Sequence, residues 1–204
     1  IIFYFAIFKN LFSLQFPVIS QMLEEAGGSL VVSPAFLAML QVISAVTYAP
    51  LLNTFIALGE EIGWRGYLYP TLRQQYSVVQ AHLMTGLIWS LWHLPINLQG
   101  YNFGLTYWGY PWLGVLAMFI FCFSIGILLS WVMERTSSIW APALLHGAIN
   151  ACAGLGILFQ NPTHQALAMR ILGPSSVGLL SGLPLLLLAL AILKKERKQK
   201  NELR

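Results

Sequence analysis

Apolar residues run along this chain in long blocks separated by short polar breaks, without a regular alternation of apolar and polar positions. The blocks fall at about residues 1–20, 31–58, 78–98, 112–133, 139–159 and 177–193. A helix needs about 20 such residues to cross some 30 Å of hydrocarbon. The pattern therefore predicts an all-α fold, a polytopic transmembrane helical bundle with about six apolar segments. Block 1–20 reads as one span, or as a truncated span followed by an interfacial piece. Pro34 lies near the start of the second block and Pro50 is expected to kink it. The stretch around Glu60 follows that block without a break and should stay helical to about Arg73. Residues 24–28 and 134–138 read as turns, and 160–174 as a loop. The Gly-, Tyr- and Asn-rich segment 99–110 reads as an interfacial loop with aromatic anchors. No internal repeat is visible.

Composition sharpens this picture. The chain has 204 residues, of which 57% are hydrophobic and only 9% charged. Soluble domains carry about a quarter charged residues, so this is expected to be an integral membrane protein that meets the lipid bilayer and no nucleic acid. Its net charge of +4 comes largely from Lys194, Lys195, Arg197, Lys198 and Lys200. The chain thus divides into a single transmembrane helical domain over 1–193 and a basic cytoplasmic tail over 194–204. Counting back from that tail puts 134–138 and 66–77 on the cytoplasmic side with Arg65, Arg73 and Arg135, while the opposite loops carry only Arg170. The bias is self-consistent with the positive-inside rule. Cys122 and Cys152 form no CxxC and read as small hydrophobes. No basic n-region with a cleavage site precedes the first block, so no signal peptide is expected. The chain opens on Ile1, so a missing N-terminal span stays open.

Against this background the charged residues stand out. None occurs between Glu25 and Glu60, between Arg73 and Glu134, or between Arg135 and Arg170. Charge in such surroundings is costly, and it usually faces a protein interior and does something. Glu61 and Arg65 are four apart, in the favourable order for a helical ion pair. Their pairing would leave Glu60 as the free carboxylate. Gly59 and Gly63 form a small-xxx-small pair suited to close helix approach. Trp89 and His93 share one helix face, and so do His146 and Asn150. His82 and His164 read as interfacial.

Several readings follow. Glu60 and His93 could share a water and take its proton, with His146 and Asn150 donating to the oxyanion of a tetrahedral intermediate. Alternatively, Glu60, His93 and His146 could ligate a divalent metal such as zinc and leave a fourth position for water. Against the metal, no HExxH is present and the ligands lie on three separated segments. Covalent catalysis is poorly served: there is no GxSxG, no Cys with a His at helical spacing, and no Asp to complete a triad. A non-catalytic membrane scaffold uses the same residues only to hold helices together. A transporter would need repeats or paired broken helices, and none is visible.

At these residues the sequence resembles the CPBP family of intramembrane proteases, which includes type II CAAX prenyl endopeptidases and bacterial Abi-type immunity proteins. The family motifs EExxxR, FxxxH and HxxxN read here as Glu60-Glu61-x-x-x-Arg65, Trp89-x-x-x-His93 and His146-x-x-x-Asn150, within about residues 50–155. The resemblance implies an intramembrane endopeptidase acting on a membrane-associated protein or peptide. Glu60 and His93 would activate water, His146 and Asn150 would hold the oxyanion, and Glu61 and Arg65 would support the site. Some members are called metalloproteases, but the glutamate-dependent reading needs no metal. Trp89 stands where the family usually has Phe, a departure expected to affect packing more than chemistry. The compact form suggests a prokaryotic cell membrane, so a prenylated substrate is not assumed. Helical rise puts His93 about 22 Å into its span and His146 much less deep in its own. The stretch 78–85, made partly polar by Gln80 and His82, is therefore expected to lie along the interface.

Overall fold

The computed structural model describes residues 1–27 and 32–202, with side chains as far as Arg197. Residues 203–204 of the expected basic tail fall outside the described residues. The chain is all-α, a helical membrane bundle. Short helices α1 (Ile2–Ile7) and α2 (Pro17–Glu25) precede α3 (Pro34–Val46) and α4 (Tyr48–Gly63). A π-helical turn, Trp64–Leu68, links α4 to α5 (Tyr69–Gln75). Then come α6 (Val78–Trp92), α7 (Leu94–Asn97), α8 (Trp112–Thr136), α9 (Trp140–Cys152), α10 (His164–Ala168) and α11 (Leu183–Glu202).

Among the described residues, fewer single helices are long and apolar enough to span than there are apolar blocks. Trp112–Thr136 and Trp140–Phe159 each qualify, and Pro34–Val46 with Tyr48–Gln75 forms a third if the bent pair is one span. That pair is bent by 53°. The cause is local: the Pro50 ring supplies no N–H and crowds the carbonyl four residues back, so the break falls at Thr47. Block 1–20 is not a span. Its Tyr4 and Leu11 pack against Ala166, and Tyr4 OH accepts from Gln160 Nε2 at 3.1 Å. Nor does 78–85 lie apart from the bundle. Ser77 and Gln80 form a capping box that starts α6, which then runs unbroken to Trp92 with His82 buried. In the loop 99–110, Tyr101 and Trp108 point outward as expected of anchors, while Phe103 and Tyr107 fold into the core.

Helix α8 is the centre. Cys122, Ile125, Ile127 and Leu129 are fully buried, with α6 and α11 packed alongside and α9 following. Two glycines set the helix spacing. A Cβ on Gly86 would lie 2.9 Å from Phe123 Cα, bringing α6 onto α8; one on Gly147 would lie 2.6 Å from Thr54 N, bringing α9 onto α4. Phe55, Ile56, Leu187 and Trp112 are exposed on the outside, an apolar exterior of the kind a bilayer covers.

Candidate active site

Close packing of α9 on α4 places His146 against the last turn of α4. Arg65 Nη1 donates to Glu61 Oε1 at 3.0 Å, the ion pair that the spacing predicts. His146 Nδ1 donates to the same oxygen at 2.8 Å, across 85 residues of sequence. Glu61 and Arg65 are 0% and 1% exposed. Two charges at that depth hold only because they are paired. Glu61 Oε2 and Arg65 Nε and Nη2 have no further hydrogen-bond partner, although the Arg65 guanidinium lies 4.4 Å from the centre of the Trp89 ring.

Glu60 has a different environment. It points away from the ion pair, and its Oε2 accepts from two indoles: Trp89 Nε1 at 3.0 Å and Trp64 Nε1 at 3.3 Å. Trp64 opens the π turn. Such turns recur at functional sites because the extra residue redirects side chains. Beside Glu60 lies a groove of about 670 Å³, floored by Gly59, Glu60 and Gly63 and walled by Trp64, Ile88 and Trp92. A Cβ on Gly59 or Gly63 would meet nothing within 4 Å. The expected role of this glycine pair in helix packing is therefore corrected: among the described residues no helix lies against it, and the missing side chains leave room for the groove.

His93 is the C-cap of α6, half-buried, with its ring edge-on to Trp92 at 4.9 Å. Its Nδ1 is 2.9 Å from the Trp89 carbonyl. A carbonyl only accepts, so Nδ1 carries the proton and Nε2 keeps its lone pair. His146 lies 5.3 Å from Trp89, ring centre to ring centre. Asn150 is exposed one turn beyond His146. Cys122 Sγ is 4.0 Å from His93 Nδ1 but sits in the apolar cluster with Met118 and Ile125.

A metal fits this donor set poorly. Among the described residues no three His, Cys, Asp or Glu side chains are grouped to hold one.

Glu60, Glu61, Arg65, His93 and His146 thus share one neighbourhood with Trp89 as its hub, whereas among the described residues no side-chain contact ties Asn150 to them. Two features of the site lie beyond the sequence reading, and the second has a sequence signal. The contact of His146 with Glu61 is non-local, and no spacing encodes it. The role of Trp89 as a donor had a signal that went unused: a Trp in the usual Phe position brings an N–H. His82, read as interfacial, is buried at the other end of α6, with Tyr69 OH 3.1 Å from its Nε2.

A family model described as type II CAAX prenyl endopeptidase Rce1-like matches residues 42–152, over half of the chain. The chain is 32% identical over 93 residues to a CAAX prenyl protease 2 from Methanococcus maripaludis. That match covers 45% of this chain and 34% of the relative, so the chain spans about a third of the protein it matches.

Proposed function

The chain belongs to the type II CAAX prenyl endopeptidase Rce1-like family, and from that premise we propose that it is an intramembrane endopeptidase of the glutamate type. It hydrolyses a peptide bond of a membrane-associated protein or peptide. The observation that carries this reading is the Glu60 carboxylate on the floor of an open apolar groove, held through one oxygen only. A substrate segment enters that groove from the bilayer and brings its scissile carbonyl to Glu60.

The chemistry follows from the free atoms. Glu60 Oε1 and His93 Nε2 accept hydrogen bonds from a water and take its proton as it attacks the carbonyl carbon. The developing oxyanion accepts from Asn150 Nδ2 and from His146 Nε2, which donates when that ring carries its second proton. Such donors are each worth about 2.7–4 kcal/mol at a transition state. Glu61 holds His146 Nδ1, and Arg65 balances Glu61. The acquired proton then passes to the leaving amine. Residues 50–155 form the catalytic core of the transmembrane domain. The setting is a prokaryotic cell membrane with the C-terminal tail cytoplasmic, and a prenylated substrate is not assumed.

The test compares protein termini in membranes holding wild-type protein or Glu60→Gln at matched levels. New termini should appear only with wild type, and the variant should lose about 10²–10⁴ of the cleavage rate. Identical sets of termini, with the variant inserted and folded, would support a scaffold without catalysis.

A further inference from the structure

We infer that Trp89 is a positioning residue that sets both water-activating groups at once, by its indole on one side and its carbonyl on the other. The inference rests on the reading of Glu60 and His93 just given.

Trp89 is 1% exposed and enclosed on every side. The Arg65 guanidinium lies over its ring at 4.4 Å. His146 stands edge-on at 5.3 Å, Trp64 lies tilted at 5.9 Å, and Met118 and Ile125 pack in the same cluster. A ring so confined has one orientation, and its N–H one direction. That direction ends at Glu60 Oε2, 3.0 Å away on another helix.

The bond from Trp64 to the same oxygen is local, one turn along its own helix, and longer at 3.3 Å. Alone it would let the Glu60 side chain swing with α4. The bond from Trp89 ties the carboxylate to α6, the helix that also carries His93. Two donors on Oε2 leave Oε1 as the oxygen that faces a water. At the same residue, the Trp89 carbonyl accepts from His93 Nδ1 at 2.9 Å and turns Nε2 outward. One buried residue therefore fixes which oxygen of the glutamate and which nitrogen of the histidine are free. A phenylalanine would keep the carbonyl contact and most of the packing and would lose the indole donor. The substitution seen here is thus chemical as well as steric.

The test uses the full chain in detergent micelles with ¹⁵N-labelled indoles. The seven tryptophans give seven indole N–H signals, assigned by single Trp→Phe variants. In Glu60→Gln the Trp89 and Trp64 signals should both move, since a carboxylate acceptor has become a neutral amide. Signals that stay in place overturn the inference without any activity measurement.

The second arm reads turnover, in proteoliposomes, of the substrate identified by the terminus comparison. Trp89→Phe should lower kcat about ten- to a hundredfold with KM nearly unchanged. Replacement of Trp89 by 3-benzothienylalanine, a tryptophan isostere with sulfur in place of the N–H, should give the same loss with the ring shape kept. A wild-type kcat in the isostere would overturn the inference, because shape alone would then suffice. Retained turnover in Glu60→Gln would instead defeat Glu60 as the base, and the indole signals would still report the bond itself.

Discussion

Helix α6 carries a histidine–carboxylate cluster at each end, and the two differ in ways that separate structure from chemistry. At the start, His82 stacks on Tyr69 at 4.5 Å and shares a 3.1 Å hydrogen bond with its hydroxyl. The carboxylates there are loosely held: Glu134 is 3.5 Å from the Tyr69 hydroxyl, and Glu196 is 4.0 Å from His82. At the far end, about 16 Å away at 1.5 Å per residue, Glu61 is fully buried with contacts of 2.8 and 3.0 Å. Glu60 and His93 there each keep a polar atom for a ligand, beside an open groove. Both ends have an imidazole near an acid. Only one combines tight internal pairing, free acceptor atoms and space. The first cluster ties Tyr69, α6, α8 and α11 together at one end of the bundle, which is also the end where the basic-residue count placed segments 66–77, 134–138 and the tail.

The largest expected effect tests the tightness of the buried pair. Arg65→Leu would leave the Glu61 carboxylate buried without its counter-charge, at a cost of about 3–5 kcal/mol. Tyr69→Phe at the other end removes the hydroxyl that meets His82 at 3.1 Å and Glu134 at a long 3.5 Å, a loss of about 1–2 kcal/mol. Thermal unfolding in detergent should rank the two in that order by a clear margin. Equal losses would erase the distinction between the clusters.

That ion pair was also the most legible part of the site. Glu61 and Arg65 are neighbours on one helix, and a spacing of four encodes their meeting. The break near Pro50 was equally local and equally readable. What sequence could not supply were contacts made by the packing of separate helices: His146 on Glu61, Trp89 on Glu60, and His82 beneath Tyr69. The glycines show the same limit. Gly59 and Gly63 have a spacing that suits close helix approach, yet no helix lies there, whereas the isolated Gly86 and Gly147 do set interhelical distances. A small residue permits an approach, and only the neighbouring elements decide whether it is made. The lengths of the helices are a related case. Apolar blocks such as 1–20 and 78–98 are divided among shorter helices, and composition does not show where a helix breaks.

A smaller effect sharpens the role of the groove. Gly63→Leu places a side chain in open space, so the melting temperature should change little. The same chain fills the groove beside Glu60, and turnover of the substrate found by terminus comparison should fall about tenfold or more. Gly86→Ala is the control. Its Cβ would meet the Phe123 backbone at 2.9 Å, so stability should fall, and turnover per folded molecule should hold. If Gly63→Leu left turnover intact, substrate would have to reach Glu60 by another route.

The smallest effect belongs to the loose cluster and reads through pH. Glu196 lies beyond the last apolar block, on α11. Its partial burial, and next the like charge of Glu134, push its carboxyl up to about 7 against the opposing pull of Arg73 and Arg135. Unfolded, a glutamate titrates near 4.3. A carboxyl whose folded value is raised contributes stability in full below the unfolded value and loses it as pH climbs to the folded one. This part of the wild-type stability should therefore decline between about pH 4 and pH 7. Glu196→Gln is neutral throughout and removes that decline. The variant should match wild type near pH 4 and melt higher at pH 8, by about 1–3 °C given the group's exposure. His82, Tyr69 and Glu134 are present in both proteins, so the difference between the two melting curves reports on Glu196. A constant difference across the range would mean that Glu196 is solvated like any surface acid. The cluster at the start of α6 would then be held by Tyr69 and His82 alone.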